Sequence, residues 1–344
     1  MEVGIIGATG YSGLELIRLL KNHPQVTNIM LYSSSQSGET INRLYPHLQN
    51  EQWKPLKEID LNKISAEIDV MFLATPPGVS AEWSGPLLEA GLSVIDLSGD
   101  LRLTDRGVYE KWYKRPSAKE GLIEQAIYGL SEWNKSTIKT AKLIANPGCF
   151  PTAALLALIP LIQAGAIERD SIVIDAKSGT SGAGKSPTSM THFSETNENF
   201  KIYQVASHKH TPEIEQQLAK WGAQPPLSFQ PHLVPMVRGI MATIYAKAAK
   251  PLSNEWLTDC YNSAYENAPF VRIKENGTFP ATKHVFGSNY CDIGFCYDER
   301  TGRVIVASVI DNLMKGAAGQ AVQNFNLMHG FDETAGLEAV PMYP

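Results

Sequence analysis

The fold is decided by the stretch Val3-Gly4-Ile5-Ile6-Gly7-Ala8-Thr9-Gly10-Tyr11-Ser12-Gly13 near the amino terminus. The apolar residues before Gly7 predict a short buried strand, and the apolar spacing after Gly13 predicts a helix. A glycine turn between strand and helix lets the backbone approach a pyrophosphate, whose charge the helix N-terminus receives. The spacing is G-x-x-G-x-x-G rather than G-x-G-x-x-G, yet its position predicts nucleotide binding. The candidate contacts in this turn are Gly7, Thr9, Gly10, Tyr11, Ser12 and Gly13.

Strand and helix patterns alternate along the rest of the first half. Strands are predicted near residues 29–32, 69–78, 93–99 and 141–145, with a helix at residues 79–90. This alternation indicates an α/β fold with a Rossmann doubly wound parallel sheet. Ligands of such sheets bind at the carboxyl ends of the strands. We therefore expect one crevice lined by the strand tips Gly7, Ser34, Thr75, Ser98 and Cys149.

The residues after the second strand bear on the choice of cofactor. An NAD-binding fold usually carries a carboxylate there, which binds the ribose 2′-hydroxyl. Here the sequence is Tyr32-Ser33-Ser34-Ser35-Gln36-Ser37-Gly38, which offers hydroxyls and no carboxylate. NADP is therefore predicted rather than NAD, although the serines could equally form a plain polar loop. The further candidate cofactor contacts are Ser34, Ser35, Thr75, Pro76, Ser98, Ser181, Gly182 and Asn312.

Composition narrows the class of protein. The chain has 344 residues, which favours two domains, and a formal net charge of -5. Since like charges form no runs, we expect neither nucleic acid nor a membrane as a partner. The sequence shows no signal peptide and no membrane-length apolar run, which predicts a cytoplasmic protein. The four cysteines match no common zinc spacing, so no metal site is predicted.

A second stretch, Ile144-Ala145-Asn146-Pro147-Gly148-Cys149-Phe150-Pro151-Thr152-Ala153, carries a candidate nucleophile. Pro147 and Gly148 turn the chain, and Pro151 suits the first turn of the apolar helix that follows. Cys149 then lies at a helix N-terminus, where free N–H groups and the helix dipole favour a thiolate. The alternative is that Cys149 is a small core residue, which is the commoner fate of a free cysteine.

The second half changes in character. Strands are predicted at residues 172–176, 240–246, 290–297 and 304–310, and helices are rarer. This pattern favours an α+β substrate and dimerisation domain with a mixed or antiparallel sheet. A last helix near residues 313–328 is expected to return to the first domain. The predicted domains are therefore residues 1–148 with 313–344, and residues 149–312.

One local string imitates a different class of protein. Gly179-Thr180-Ser181-Gly182-Ala183-Gly184-Lys185-Ser186 fits the phosphate loop of nucleoside triphosphatases letter for letter. The residues that follow begin with Pro187 and show no helical apolar period. No later strand ends in an evident aspartate ligand for Mg²⁺. A glycine-rich loop beside a phosphate-bearing ligand is the better interpretation.

Histidines and charged side chains supply the remaining candidates. Ser207-His208-Lys209-His210-Thr211-Pro212-Glu213 holds two histidines but no further metal ligands at a usual spacing. A histidine here could act as acid and base near neutral pH, and structural roles are the alternative. The other candidate histidines are His192, His232 and His284. The candidate substrate ligands are Arg102, Asn146, Glu195, His208 and Arg238.

Motifs along nearly the whole chain together resemble one enzyme family, the N-acetyl-gamma-glutamyl-phosphate reductases. They are the glycine turn, Ala145-Asn146-Pro147-Gly148-Cys149-Phe150-Pro151-Thr152 with Pro160, Ser178 to Lys185, His208 to Glu213, and Lys315-Gly316-Ala317-Ala318-Gly319-Gln320-Ala321. Aspartate-semialdehyde dehydrogenases share the glycine turn. Lys185 stands where arginine is as often expected, which retains the charge.

This resemblance implies an NADP-dependent reductase of arginine biosynthesis, with Cys149 as nucleophile and His210 as acid and base. Its substrate would be a small acyl phosphate, its second product inorganic phosphate, and its assembly a homo-oligomer, a dimer or tetramer. The alternatives are a related reductase of another acyl phosphate, an NADP-binding sensor without turnover, and a phosphate-loop protein.

Overall fold

The computed structural model describes residues 1–222 and 226–344. The described chain divides into two compact units, each of which contains its own sheet. The first unit comprises Met1–Pro147 and Ala317–Glu338, and the second comprises Gly148–Gly316 and Ala339–Pro344.

The first unit contains a parallel sheet. Its strands are β1 (Glu2–Ile6), β2 (Asn28–Tyr32), β3 (Val70–Leu73), β4 (Ser93–Asp96), β5 (Ile127–Tyr128) and β6 (Leu143–Ala145). The strand order is β2-β1-β3-β4-β6-β5, and every pairing is parallel. The order reverses between β1 and β3, the switch point at which such sheets bind ligands. The predicted Rossmann sheet is confirmed.

Helices cover this sheet, since parallel strands need crossover connections. They are α1 (Tyr11–Leu20), α2 (Ile41–Leu44), α3 (Leu61–Glu67), α4 (Val79–Glu89), α5 (Arg106–Tyr113), α6 (Glu120–Gln125) and α7 (Ser131–Ile138). The last three lie between residues 104 and 138, and the polar sequence of residues 104–136, with its scattered aromatics, predicts no element. The structure shows why: α5 has a single fully buried aromatic, Tyr109, while its other apolar side chains, Val108, Trp112 and Tyr113, are only half-buried.

The second unit contains a mixed sheet, as predicted. Its strands are β7 (Val173–Ser178), β8 (Lys201–Ile202), β9 (Ser228–Leu233), β10 (Ile240–Lys247), β11 (Val271–Ile273), β12 (Cys291–Asp298) and β13 (Arg303–Ile310). Among the described residues the order is β11-β12-β13-β10-β7-β9-β8. The pairs β11–β12 and β7–β9 are parallel, and the other neighbours are antiparallel.

Four helices of the described chain belong to this second unit. They are α8 (Cys149–Gln163), α9 (Phe193–Thr196), α10 (His210–Lys220) and α11 (Asn254–Tyr265). Helix α8 packs on α10, α11, β10 and β13, and it is buried from Phe150 to Ile162, which explains its apolar residues on every face.

Pro160 lies inside α8 and has no N–H to give to the carbonyl of Leu156, four residues earlier. The hydroxyl of Tyr265, on α11, donates to that carbonyl instead. Tyr261 on the same helix donates to the carbonyl of Ala157 over 2.6 Å. These two phenols satisfy the buried backbone of α8 at the position where proline interrupts its hydrogen bonds.

The last two helical segments of the described chain are a π-helical turn, Met314–Ala318, and α12 (Gly319–Met328). The N–H of Gly316 donates to the carbonyl of Asp311, five residues earlier, over 3.0 Å. Helix α12 packs on α1, α7 and β4 of the first unit. The single helix predicted over residues 313–328 is therefore two segments, because the apolar stripe does not reveal the wider first turn.

Candidate active site

The glycine turn of the first unit has the geometry that a dinucleotide requires. Gly7 has φ +86°, and a Cβ there would lie 2.3 Å from the carbonyl oxygen of Ala74 at the end of β3. A Cβ on Gly13 would lie 2.3 Å from the carbonyl oxygen of Gly7. Gly10 caps α1 without a side-chain hydrogen bond, and the first turn of α1 has no acidic residue. The turn therefore fits a pyrophosphate against the helix N-terminus.

The other candidate cofactor contacts of this unit follow β2, β3 and β4. Ser34 and Ser35 are exposed just after β2, and Pro76 is exposed after β3. The hydroxyls of Thr75 and Ser80 lie 3.0 Å apart. Ser98 is buried, and its hydroxyl accepts from the N–H of Asp100. The remaining candidate contacts lie in the glycine turn: its three glycines, the exposed Tyr11, and the half-buried Thr9 and Ser12.

Arg102 is buried and is therefore not an ordinary surface residue. Its side chain is 6% exposed, and it donates to the carbonyls of Asn146, over 2.7 Å, and Leu97, over 2.9 Å. Asn146 is itself buried; it donates to the carbonyl of Ala317 and accepts from Asn324. The structure therefore ties both predicted substrate ligands into the scaffold at the end of β6, and their substrate roles stay predictions.

Cys149 is the first residue of α8, and its side chain is partly exposed. Gly148 caps the helix, and its N–H donates over 2.8 Å to Oε1 of Glu213. Glu213 is fully buried and lies in the first turn of α10, which begins at His210. One hydrogen bond thus joins the start of the helix that carries the cysteine to the start of the helix that carries the histidine.

Aromatic rings fill the space between these two helix starts. The ring of Phe150 meets those of His208 and His210 edge to face, at 5.5 and 6.0 Å between centroids. The rings of His208 and His210 are 4.8 Å apart, and the N–H of His210 donates to Nδ1 of His208. Burial, and to a lesser degree the charge of Lys209, lowers the pKa of His208 to about 3, so His208 is neutral at physiological pH.

Tyr203 lies beside His208 and Cys149. Its ring lies 5.7 Å from that of His208. Burial, together with the charge of Cys149, raises the pKa of the Tyr203 phenol well above its usual value. Tyr203 is therefore a neutral phenol close to the sulfur, and the sequence offered no signal for it.

Gly316 completes the surroundings of the cysteine. A Cβ at this position would lie 2.7 Å from the Cβ of Cys149. The π-helical turn that contains Gly316 thus packs its backbone directly on the cysteine side chain. A larger residue at position 316 would displace the side chain of Cys149.

The glycine-rich string that imitates a phosphate loop contains a short 3-10 turn, Thr180–Ala183, which is bonded to other residues of the second unit. The N–H groups of Thr180 and Ser181 donate to the carbonyls of Met236 and Val237. No helix of phosphate-loop length follows it within the described residues; the next elements are a 3-10 turn and the four-residue α9. The loop therefore lacks the helix that would supply a triphosphatase site.

Ser181 and Asn312, two of the predicted cofactor contacts, are bonded to each other. The amide of Asn312 donates to the hydroxyl of Ser181 over 2.9 Å and accepts from the N–H of Gly239 over 2.8 Å. Gly182 is exposed beside them. Arg238 forms an ion pair with the fully buried Asp311 at 3.2 Å. The structure brings these four residues together at one end of β7, β10 and β13.

Glu195 is exposed on α9, where its carbonyl accepts from Asn199 and Lys201. The alternative histidines are dispersed: His232 pairs with Asp175 at 3.1 Å, and His284 accepts from the N–H of Ala281. Among the described residues, no group of three or more His, Cys, Asp or Glu side chains is arranged to hold a metal ion. No helix in the described part is long and apolar enough to cross a membrane.

Comparisons with known proteins agree with this arrangement. The family model "Semialdehyde dehydrogenase, NAD binding domain" matches residues 2–141. The model "Semialdehyde dehydrogenase, dimerisation domain" matches residues 149–312. The fold is thus that of a semialdehyde dehydrogenase, an oxidoreductase class, and the predicted dinucleotide-binding Rossmann fold is confirmed.

Curated relatives narrow this class. An N-acetyl-gamma-glutamyl-phosphate reductase of Bacillus cereus is 58% identical over 344 residues, which is all of both chains. One of Halalkalibacterium halodurans is 59% identical over 346 residues, again covering both chains completely. The chain belongs to the N-acetyl-gamma-glutamyl-phosphate reductase family, as its motifs predict.

Solved structures share the fold at lower identity. An aspartate semialdehyde dehydrogenase II of Vibrio cholerae has a TM-score of 0.72 at 20% identity, covering 95% of this chain and 97% of the other. An aspartate semialdehyde dehydrogenase with NADP from Candida albicans has a TM-score of 0.68 at 18% identity, covering 97% and 98%. At these identities the likeness concerns the fold.

Proposed function

We propose that this chain reduces N-acetyl-gamma-glutamyl phosphate with NADPH to N-acetylglutamate 5-semialdehyde and inorganic phosphate, a step of arginine biosynthesis. The observation that carries the proposal is the pairing of two helix starts, one at Cys149 and one at His210, through the bond from Gly148 to Glu213. A nucleophile and an acid–base group are held on two rigid elements, as covalent acyl transfer requires.

The first step is acyl transfer to the sulfur. The Cys149 thiolate attacks the acyl-phosphate carbonyl, an S–C bond forms, and the C–O bond to phosphate breaks, which releases inorganic phosphate. Helix N–H groups at the start of α8 stabilise both the thiolate and the oxyanion of the tetrahedral intermediate. The product is a thioester whose reactive carbon is fixed on α8.

The second step is reduction of that thioester. Bound NADPH supplies the hydride. His210 donates a proton to the oxygen and takes it back as the C–S bond breaks, which releases the semialdehyde and restores the thiolate. His208 accepts the main-chain N–H of His210 and stays neutral, so it orients His210 without competing for the proton.

The glycine turn and the β2 loop support binding of NADPH by the first unit. Ser34 and Ser35 are exposed after β2, where a carboxylate would repel a 2′-phosphate. The nearby Glu67 is paired with Lys57. We assign cofactor binding to residues 1–148 with 313–344 and catalysis to residues 149–312.

A homo-oligomer, a dimer or tetramer, is the proposed assembly. One face of the mixed sheet packs on α8, and on the opposite face the central residues of β10, Met241, Thr243 and Tyr245, are only half-buried. A half-buried sheet face of this kind offers area for a second copy. The cytoplasm is the proposed location, which suits four cysteines that form no disulfide in the described part of the chain.

Substitution of the histidine tests the proposal. His210→Asn is expected to lower kcat by about 10²- to 10⁴-fold, because the proton transfer is lost while the fold is kept. The matched control is His192→Asn, outside the two helix starts, which should leave kcat unchanged. The measurement is the steady-state kcat of the reverse reaction, in which the semialdehyde reduces NADP in the presence of phosphate. A wild-type kcat in His210→Asn would contradict the assigned role.

A further inference from the structure

A cavity of about 370 Å³ lies at the end of the mixed sheet opposite to Ser181 and Asn312. Asp170 and Ser171, the start of β7, Leu227, Lys247 and Arg303 line it. Strand β7 runs from Val173 beside the cavity to Ser178, about 17 Å at the usual rise per residue. The cavity is therefore separate from the cysteine and histidine, and the proposed reaction makes no use of it.

Two cations face each other in this cavity. Lys247 ends β10 and Arg303 begins β13, and the two are direct partners across the antiparallel pair. Directly opposite residues share a face of the sheet, where like charges repel and destabilise the pairing. Such a pair is costly unless something anionic lies between the two side chains.

The protein itself neutralises this pair only in part. Glu168 approaches Lys247 at 3.8 Å, and both side chains of that ion pair are about half exposed. Within the described residues no ion pair or hydrogen bond involves the side chain of Arg303, although Asp298 is its partner residue on β12. Asp298 is bonded to Thr301 and to Arg300 instead. The guanidinium thus keeps its full capacity for an oxyanion.

The cavity is built rather than a chance hollow of the surface. The hydroxyl of Ser171 accepts the N–H of Lys247 over 2.8 Å and donates to the carbonyl of Glu168 over 2.6 Å, which holds the end of β10 against the turn. The N–H of Ser228 donates to the carbonyl of Ile172 and closes another wall. The volume lies at the small end of the range for metabolite pockets.

We propose that this cavity binds a small oxyanion, a phosphate or a carboxylate, between Lys247 and Arg303, at a site independent of the catalytic one. Arg303 supplies the bidentate donor, and Lys247 adds a point charge. Asp170 is the acidic residue of the lining and weakens the site by repulsion.

The experiment measures binding of inorganic phosphate and of succinate, separately, to the full-length protein at constant ionic strength, by titration calorimetry. Arg303→Gln and Lys247→Gln should each weaken one class of binding site by about tenfold, and Asp170→Asn should strengthen it. Arg300→Gln is the matched control, because this exposed arginine lies outside the cavity lining, and it should change nothing. Whichever probe shows this pattern identifies the source as phosphate or carboxylate.

Two results would overturn the proposal. Equal weakening of anion binding in Arg300→Gln and Arg303→Gln would mean that the anion responds to the overall surface charge and not to a specific site. A change of oligomeric mass in Arg303→Gln, measured by light scattering without a change of anion affinity, would mean that the cation pair faces a second copy of the chain. Basal kcat and KM of the reductase reaction should be the same in all four variants.

Discussion

Gly148 and Glu213 are joined by a 2.8 Å hydrogen bond, from a main-chain N–H to a carboxylate that is completely buried. The donor immediately precedes Cys149, and the acceptor lies one helical turn after His210. The bond therefore fixes the relative position of the two groups that the proposed chemistry uses. A hydrogen bond to a buried carboxylate is strong. Removal of the carboxylate leaves the buried N–H donor without a partner, which lowers the stability of the fold.

Removal of the Glu213 carboxylate should impair catalysis without impairing the binding of NADPH. Glu213→Ala is expected to cost about 1–3 kcal/mol of folding free energy and to lower kcat by at least about tenfold, because α8 and α10 lose their common anchor. The KM for NADPH should not change. Glu215→Ala is the control, since this carboxylate lies on the same helix α10 but accepts the N–H of Leu227, just before β9. A variant Glu213→Ala with a wild-type kcat would refute the positioning role.

A methyl group in the glycine turn should block the cofactor. In Gly7→Ala the added Cβ would lie 2.3 Å from the carbonyl of Ala74, so β1 or β3 must shift and the affinity for NADPH should fall by at least about tenfold. Gly91 has a similar φ, +89°, and nothing within 4 Å of its Cβ position. Gly91→Ala should therefore show only the backbone strain, about 1–2 kcal/mol, with normal binding by fluorescence titration. Equal affinities in the two variants would contradict this account.

A negative charge after β2 should change the choice of cofactor. Ser34→Asp places a carboxylate where the exposed loop is expected to meet the 2′-phosphate, so the ratio of kcat/KM for NADPH over NADH should fall by about tenfold or more. Ser34→Ala removes only the hydroxyl and should change the ratio much less. If Ser34→Asp keeps the wild-type ratio, the 2′-phosphate lies elsewhere.

The buried histidine should make stability depend on pH. The folded-state pKa of His208 is about 3, against 6.5 for an exposed histidine, so the unfolded chain binds the proton first. The stabilisation by neutral His208 is therefore complete above pH 6.5 and is lost progressively as the pH falls toward 3, by about 2 kcal/mol between pH 7 and pH 5.

His208→Gln should flatten that dependence. Urea unfolding at pH 7 and pH 5 gives the difference in unfolding free energy for each protein, and the loss on acidification should be smaller in the variant by that amount. The buried His23 and the half-buried His329 also have lowered pKa values and provide a background common to both proteins. The same pH slope in variant and wild type would show that His208 is not buried in its neutral form.

The periodic parts of the sequence predicted the fold well. Apolar runs and the glycine turn located β1, α1 and α4, since burial on both faces of a parallel sheet leaves a clear pattern. Short or polar elements escaped prediction, among them β8, with two residues, and α9, with four. Local pattern carries little information when an element is shorter than one period and is held by its neighbours.

From the sequence, candidate site residues could be predicted only where the residue type and its immediate neighbours suggest a chemical role. Cys149 and His210 lie at helix starts marked by proline, which a sequence shows directly. The roles of Glu213 and Gly316 depend on contacts over 65 and more than 160 residues of chain, which no local pattern encodes. The sequence also does not reveal that Arg102, predicted as a substrate ligand from its charge, is buried and donates to two main-chain carbonyls; its substrate role stays a prediction.

The central claim is that Cys149 carries the acyl group, and mass spectrometry of the digested protein tests it most directly. The protein is mixed with N-acetyl-gamma-glutamyl phosphate without NADPH, quenched in acid and digested. We predict one N-acetylglutamyl adduct on the peptide that contains Cys149, present in Cys260→Ser and absent in Cys149→Ala. Cys260 is a fair control because it is partly exposed, while burial raises the pKa of its thiol. An adduct that persists in Cys149→Ala, or rapid turnover by that variant, would contradict the account.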